Sequence, residues 1–319
     1  MKNYYSFLKN FGTEIAIRLH AGKYRETAIY SINESLHKSK IILGDGLGRG
    51  ENVYNKDWDV LVILDACRVD LLESVVDEYE WLPETVYSTT SVGWNSPTWL
   101  ENTFTKDYLN LIKKTNLITA NPHTEKVLNE NTDISLETFS NVSLLYQHRW
   151  DSKVGTVQPD IVTDTAIEAG RKEEFDRLVV HYMQPHFPSI PNPELESGIE
   201  YVPGVFPWKN NIWERLKRGQ IDEATVWNAY KENLRHVLEY VNKLRTNIDS
   251  DRFIISADHG NAVGEKGYYG HSYNLTDAVW NVPWVEVSAE DRRTREVDLS
   301  KTTEEKNVDE KLKALGYKL

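Results

Sequence analysis

The chain has 319 residues, 40% hydrophobic and 27% charged, which is enough to build a sizeable core in one large or two modest globular domains. Lys and Arg total 37 against 49 Asp and Glu, and the formal net charge of -12 argues against a basic nucleic-acid-binding surface. The one cysteine, Cys67, excludes an intramolecular disulfide, a zinc finger and an iron–sulfur cluster. Any bound metal must therefore be held by histidines and carboxylates. No apolar run approaches the roughly 20 residues that span a bilayer.

The first 55 residues are expected to form a helical extension. Apolar residues recur at near-helical spacing between Tyr4 and Leu36, which predicts two helices. The glycines from Gly44 to Gly50 and the polar stretch after them indicate a flexible link. The N-terminal segment lacks the features of a cleaved signal peptide, so we expect a cytoplasmic protein, with an amphipathic membrane-surface helix as the alternative.

Residues 56–319 are expected to form a single α/β domain. Apolar runs of strand length alternate with amphipathic stretches, and these runs are DVLVILD (59–65), LITA (117–120), RLVVHYM (177–183) and RFIISAD (252–258). This alternation is typical of βα units on a mostly parallel sheet sandwiched by helices. The longest helix is predicted from Asp222 to Leu244. The six prolines between residues 184 and 221 predict a long irregular loop that serves as a lid, and a short helix is expected at 307–319.

Carboxylates and imidazoles collect where the predicted strands end. These residues are Asp65 after the first run, His181 and His186 at the third, and Asp258, His259 and His271 at and after the fourth. The carboxyl ends of parallel strands meet at one edge of a sheet, so we expect these side chains to lie together. A single Asp after a strand is usually a helix cap, but several such groups at a water-poor edge call for a neutralising divalent cation. Gly260 is predicted to allow the sharp turn that brings its neighbours onto one ion.

Three segments resemble the alkaline phosphatase and sulfatase superfamily. FIISADHGNAVGEKGYYGHSY resembles its Asp-His-Gly metal-binding segment, and HYMQPHFP is similar to the segment that carries a site histidine. VILDACRVDLLE resembles its first metal-binding strand, with Asp65, Arg68 and Asp70 in the aspartate–arginine–aspartate pattern. The resemblance covers about residues 57 to 319 in the expected order. It implies an alkaline phosphatase-like fold and a metal-assisted displacement at the phosphorus or sulfur of an ester.

The resemblance also implies a hydroxyl nucleophile on VYSTTSVGWNSPTWLENTF, at a helix N-terminus that favours an anionic ester. Ser96 and Pro97 predict a helix with Ser96 as its N-cap and proline at the first helical position. Ser96 is therefore the candidate nucleophile, with Ser91 and Thr90 as alternatives. If Pro97 aligns with the proline of the sulfatase CxPxR motif, Asn95 takes the nucleophile position and the site is silent.

Departures from the family pattern limit the chemistry. The segment has neither the cysteine nor the arginine of CxPxR, which argues against a formylglycine sulfatase. Two-metal members carry an aspartate four residues before the central histidine, and that position, four before His186, is Tyr182. We therefore expect one divalent ion (Mn, Zn, Ca or Mg), held by Asp65, Asp258, His259 and the hydroxyl nucleophile. His186 and His271 then become substrate-oxygen donors or acid–base groups, and Arg68 stays outside the core site.

The function expected from these residues is that of a metal-dependent hydrolase or transferase acting on a small-molecule or glycan phosphate or sulfate ester through a serine. One alternative is a catalytically silent member of the superfamily that binds an anionic glycan or a partner protein. The other is a two-metal phosphomonoesterase or mutase. The sequence predicts no nucleic-acid partner, and it indicates no oligomeric state.

Overall fold

The computed structural model describes residues 50–130, 133–172, 176–195, 211–271, 274 and 276–297. Its strands are β1 (Val60–Leu64), β2 (Ser88–Thr90), β3 (Thr115–Thr119), β4 (Asn141–Leu144), β5 (Trp150–Asp151), β6 (Thr156–Val157), β7 (Arg177–Tyr182), β8 (Ser250–Ser256), β9 (Ala262–Val263), β10 (Tyr269–Gly270) and β11 (Asn281–Ala289). Its α-helices are α1 (Val69–Glu73), α2 (Ser96–Thr103), α3 (Leu109–Ile112), α4 (Thr124–Glu130), α5 (Leu145–His148), α6 (Pro159–Lys172), α7 (Ile212–Lys217), α8 (Glu223–Arg245) and α9 (Asp277–Trp280).

A mostly parallel sheet forms the centre of the molecule. Its seven strands have the order β2-β11-β8-β1-β7-β3-β4. The neighbours from β8 to β4 pair in parallel, whereas β11 is antiparallel to both β8 and β2. Because β1 lies between β7 and β8, the ends of these three strands share the middle of one edge of the sheet. The fold class predicted from the sequence, a mostly parallel α/β sheet between helices, is confirmed.

Both faces of the sheet are covered at its central strand, β1, where successive side chains point to opposite faces. In β1, Val60, Val62 and Leu64 join the core beneath α6 and α8, whereas Leu61 and Ile63 join the core beneath α2 and α4. The strand is therefore apolar throughout, with every residue buried. This explains why VLVIL reads as a continuous apolar run rather than as an alternating one.

Several predicted elements are confirmed nearly to the residue. The run at 59–65 contains β1, and the run at 177–183 contains β7. The long helix begins after its cap Asp222, whose carboxylate accepts a hydrogen bond from the Thr225 amide, and it ends at Arg245.

Other predictions fall outside the described residues. These are the two helices between residues 4 and 36, the helix at 307–319 and the central part of the proline-rich loop, residues 196–210. The boundary at residue 55 and the helical character of the extension stay predictions. Among the helices of the described ranges, none has the length and apolar character required to cross a membrane.

The α8 helix carries a mostly apolar stripe that packs against α6 and the sheet. Two polar side chains interrupt this stripe, Tyr230 and Asn233, and both are fully buried. The Asn233 amide donates to the carbonyl oxygens of Pro185 and His186, each at 3.1 Å, and accepts from the Ile190 amide at 3.1 Å. The long helix therefore holds the loop that follows β7 through its backbone.

Gly260 lies where the loop after β8 passes α9. Its amide donates to the Val279 carbonyl at 2.9 Å, and a Cβ atom here would overlap the carbonyl oxygen of Ala278. Its φ lies outside the left-handed region, so close packing rather than the turn itself requires glycine.

We expect Gly260→Ala to lower the free energy of unfolding by about 1–3 kcal/mol, because the backbone of α9 must move to admit a methyl group. Chemical denaturation of the full chain measures this change. Gly219→Ala is the control, since Gly219 has a φ of +67° but open space around it, and it carries only the smaller cost of left-handed backbone. Equal losses in the two variants would contradict the steric argument.

Candidate active site

Two aspartates and a histidine meet at the ends of adjacent parallel strands. Asp65 follows β1 directly, and Asp258 and His259 come two and three residues after the end of β8. All three are fully buried. They are the one group of three or more potential metal-ligating side chains found in the described part of the chain, with one ligand atom from each lying within 4.8 Å of the others. The convergence predicted from the strand ends is therefore present in the structure.

Within the described ranges, each aspartate has one oxygen that accepts hydrogen bonds and one that accepts none. Oδ2 of Asp65 accepts from the Asn121 amide at 2.9 Å and from the Ser96 hydroxyl at 3.2 Å. Oδ1 of Asp258 accepts from the backbone amides of Ala66 at 3.0 Å and His259 at 2.9 Å. The opposite oxygens, Oδ1 of Asp65 and Oδ2 of Asp258, have no hydrogen-bond partner among the described residues. The hydrogen bonds therefore orient both carboxylates and leave one oxygen of each available.

The His259 imidazole completes this set. Its Nδ1 lies 3.0 Å from the Gly260 carbonyl, so Nδ1 carries the proton and Nε2 presents a lone pair. Nε2 has no hydrogen-bond partner within the described ranges, and it lies 3.5 Å from Oδ2 of Asp258 and 3.7 Å from Oδ1 of Asp65. Three buried, unsatisfied ligand atoms facing one another are costly without a ligand. Two carboxylate oxygens and an imidazole nitrogen fit a divalent cation.

The two carboxyl groups respond differently to this environment. Burial, followed by the negative charge of Asp258, raises the pKa of Asp65 well above its ordinary value, and the hydrogen bonds from Ser96 and Asn121 offset only part of this rise. Burial also acts to raise the pKa of Asp258, but the imidazoles of His259 and His181 outweigh it and hold this pKa below its ordinary value. The pair thus resists carrying two negative charges unless positive charge is close by.

Ser96 lies beside the aspartates, but it does not cap its helix as predicted. The N-cap of α2 is Asn95, whose side-chain oxygen accepts from the Thr98 amide at 2.9 Å, and Ser96 is the first helical residue. Asn95 and Thr98 form a reciprocal capping box, so the Asn95 side chain is engaged within its own helix. The Ser96 hydroxyl is released from capping and donates to Asp65 instead. Of the two residues that compete for the nucleophile position, Ser96 is the one directed at the aspartates.

The alternative nucleophiles have other partners. The Ser91 hydroxyl donates to the backbone carbonyl of Asp258 and accepts from the Gly93 amide at 3.1 Å. The Thr90 hydroxyl lies on β2 and contacts the Asn281 side chain at 3.4 Å. Both are anchored to structural groups, whereas Ser96 is bonded to a carboxylate of the cluster.

His186 and His271 stand next to the three-residue cluster. The ring centroids of His271 and His259 are 4.8 Å apart, and those of His271 and His186 are 5.2 Å apart. Burial, followed by the neighbouring His259, lowers the pKa of His186 to about 4 and lowers that of His271 well below its ordinary value. The structure thus brings together all six residues chosen from the sequence, and their chemical roles stay predictions.

Two further residues border the site and received no role from the sequence. His181 on β7 is fully buried, and its Nε2 lies 3.7 Å from Oδ2 of Asp258 and 3.9 Å from Oδ2 of Asp65. Asn121 follows β3 and donates to Asp65. Asn121 obeys the same strand-end rule as the aspartates, so searching the strand ends for amides as well as ionisable groups finds it.

Tyr182 and Arg68 do not enter the site. Tyr182 points to the opposite face of the sheet from His181, where its hydroxyl lies 2.8 Å from that of Thr163. The position therefore offers no ligand for a second metal ion. The buried Arg68 guanidinium binds both carboxylate oxygens of Asp70 and donates to the Asn261 carbonyl at 2.8 Å, which agrees with its exclusion from the core site.

Comparison with known proteins supports the fold. No family model matches the chain, and no curated protein matches its sequence. The fold is similar to the soluble domain of lipooligosaccharide phosphoethanolamine transferase A from Neisseria meningitidis, at a TM-score of 0.50 and 13% identity over 73% of this chain and 77% of that one. A 2-O GAG sulfatase matches at 13% identity over 82% of this chain and 71% of that one, with a TM-score of 0.42. A protein in the alkaline phosphatase superfamily from Vibrio parahaemolyticus matches at 13% identity over 77% of this chain and 62% of that one, with a TM-score of 0.38. The chain shares the fold of the transferase domain, in agreement with the α/β fold expected from its motifs.

A buried imidazole near the site makes stability depend on pH. Burial, followed by the nearby His186 and Lys126, lowers the pKa of His123 from its ordinary 6.5 to about 3. Between these values the unfolded chain binds a proton that the folded chain does not, so this contribution to stability is present above about pH 6.5 and is lost as the pH falls. We expect His123→Gln to remove about 2 kcal/mol of the destabilisation caused by acidification from about pH 7 to about pH 5.

Denaturant titrations at the two pH values measure this difference. The control is His148→Gln, which removes an exposed histidine instead of a buried one. An unchanged pH dependence in His123→Gln would contradict the prediction.

Proposed function

We propose that this chain is a metal-dependent hydrolase or transferase that acts on phosphate or sulfate esters, with Ser96 as its nucleophile. One observation carries the proposal. Oδ1 of Asp65, Oδ2 of Asp258 and Nε2 of His259 face one another in a fully buried site, beside a serine hydroxyl bonded to Asp65. These three atoms suit a cation rather than an anion, because each has a lone pair and none carries a proton to donate.

Asp65, Asp258 and His259 are the residues that would hold the ion, with the Ser96 oxygen as a further donor. A bound divalent cation supplies Lewis acidity, which polarises a non-bridging ester oxygen and favours the alkoxide form of the serine. The chain contributes the orientation of these ligands. Asn121 and Ser96 fix the Asp65 carboxylate, and the Ala66 amide fixes that of Asp258.

Ser96 then reacts in two half-reactions of opposite sense. In the first, a bond forms from Ser96 Oγ to phosphorus or sulfur while the bond to the leaving oxygen breaks, and the serine proton ends on the leaving alcohol. In the second, water or another alcohol attacks the seryl ester, and its proton returns to Ser96. The serine lies in the first turn of α2, at the end of the helix whose dipole favours negative charge.

His186 and His271 suit the transport of this proton. A neutral imidazole accepts a proton at one nitrogen and returns it to another oxygen, which is the work each half-reaction requires. Their lowered pKa values keep both rings neutral near pH 7 in the folded chain. They therefore serve as acceptors first and as donors only after they have taken a proton.

Phosphate esters are the first substrate class to test. A serine nucleophile without a CxPxR motif departs from formylglycine sulfatase chemistry. The similar fold of a phosphoethanolamine transferase directs attention to phosphodiesters, and sulfate esters are the second class. The cytoplasmic location expected from the sequence stays a prediction.

The metal content of the purified chain tests the proposal without a substrate. After chelator-free purification and dialysis with manganese, zinc, calcium or magnesium, we expect about one equivalent of one of these ions in the wild type and loss of it in Asp258→Asn. Elemental mass spectrometry measures both. Asp164→Asn is the matched control, because Asp164 is equally buried but pairs with Arg295 away from the site, and it is expected to retain the ion.

Two other outcomes would each favour a rival. A wild-type chain that retains no ion under any condition would favour the silent binding protein. Two ions per chain would favour the two-metal phosphomonoesterase or mutase.

Turnover of model esters tests the nucleophile. We expect Ser96→Ala to lower kcat on aryl phosphate diesters, phosphate monoesters or sulfate esters by about a thousandfold or more while it retains the metal. Ser74→Ala, an exposed serine on the first turn after α1, is expected to keep the wild-type rate. Full activity in Ser96→Ala combined with its loss in Ser91→Ala or Thr90→Ala would move the nucleophile to that residue.

A further inference from the structure

A chain of buried hydrogen bonds leads from the backbone beside Asp65 to His271. The Tyr230 hydroxyl on α8 donates to the Ala66 carbonyl, and the Asn261 side-chain amide donates to the Tyr230 oxygen at 3.2 Å. At its other end, the Asn261 side-chain oxygen lies 2.9 Å from Nδ1 of His271. Tyr230 and Asn261 are both fully buried, so water does not offer them other partners.

The direction of every bond in this chain follows from its first member. A carbonyl oxygen only accepts, so the single proton of Tyr230 is committed to Ala66. The Tyr230 oxygen must then accept from its other neighbour, which places the NH₂ group of Asn261 towards the tyrosine. The oxygen of the same amide consequently faces His271. Because that oxygen also only accepts, Nδ1 of His271 must carry the ring proton.

We propose that Tyr230 and Asn261 are positioning residues that hold His271 in the tautomer protonated at Nδ1, so that Nε2 presents a lone pair to the active site. This deepens the function proposed above and rests on it for the role of His271 in proton transfer. The tautomer itself is a property of the fold. The Arg68 guanidinium supports the arrangement by donating to the backbone carbonyl of Asn261 at 2.8 Å.

The two neighbouring imidazoles are held in the same tautomer by simpler means. Nδ1 of His259 faces the Gly260 carbonyl, and Nδ1 of His186 faces the Phe187 carbonyl. Each of these is the carbonyl of the next residue along the chain. His271 lies at the end of a short hairpin and takes its acceptor from Asn261, ten residues earlier. All three rings therefore present Nε2 as an acceptor, and His271 depends on a side chain for this.

The imidazole nitrogens of the full-length chain report the tautomer directly. In a ¹⁵N spectrum that correlates ring nitrogens with ring protons, we expect His271 to show a protonated, pyrrole-type Nδ1 and an unprotonated, pyridine-type Nε2. Comparison with the spectrum of His271→Gln identifies its signals. In Tyr230→Phe the Asn261 amide loses its directing partner, so both tautomers become populated and the two nitrogen shifts move towards each other.

The matched control is Tyr182→Phe, which also removes a buried tyrosine hydroxyl, in this case one bonded to Thr163. It is expected to leave the His271 signals unchanged. Asn261→Asp retains an acceptor towards His271 and should preserve the proton on Nδ1, whereas Asn261→Leu should not. These opposite effects distinguish a positioning role from general damage to the fold.

Two results would overturn the proposal: an unprotonated Nδ1 on His271 in the wild type, or a Tyr230→Phe spectrum identical to that of the wild type. The wild-type measurement stands even if a variant fails to fold. Metal content and turnover are measured separately. A chain that binds no ion or cleaves no ester can still show the predicted tautomer, and an active enzyme can still lack it.

Discussion

The placement of two carboxylates side by side, out of contact with water, governs the arrangement around them. Asp65 and Asp258 follow adjacent strands and are fully buried, so each needs hydrogen bonds or positive charge close by. Among the residues that the structure describes, side chains and amides supply partners for one oxygen of each aspartate and leave the other without one. The other oxygens, together with Nε2 of His259, remain an acceptor-lined site that a cation stabilises. The cost of this arrangement without a ligand is the physical argument for a metal site.

The strands supply the ends from which these groups project, and α8 fixes the loops between them. Tyr230 binds the backbone beside Asp65 and the Asn261 side chain in the loop after β8, while Asn233 binds the loop that carries His186. The same helix thereby holds three segments that are far apart in the sequence. The site's geometry depends on this helix as much as on the sheet, although no side chain of α8 is among the proposed ligands or the nucleophile.

The sheet and the cluster could be predicted from the sequence because both rest on local patterns. Continuous apolar runs indicated buried parallel strands, and polar residues at strand ends indicated a shared edge. The helix cap was predicted one residue too late because Asn95 and Ser96 are both good caps, and the choice depends on the Thr98 side chain and on Asp65. A strand-end search that includes amides finds Asn121, but the role of Tyr230 depends on a partner 164 residues away, which no local pattern encodes. Tyr230 lies on the buried stripe of its helix, so helical spacing alone assigns it to the hydrophobic core.

The buried polar pair on α8 has a consequence for attempts to make this protein more robust. Tyr230 and Asn233 interrupt an otherwise apolar stripe, so a redesign that maximised packing would replace them with leucine or phenylalanine. Such a chain could gain thermal resistance and still lose the alignment of the loops that these two residues secure. Stability screens alone would then select against the site. Conservative library design should hold both positions constant and seek its gains on the exposed face of the helix.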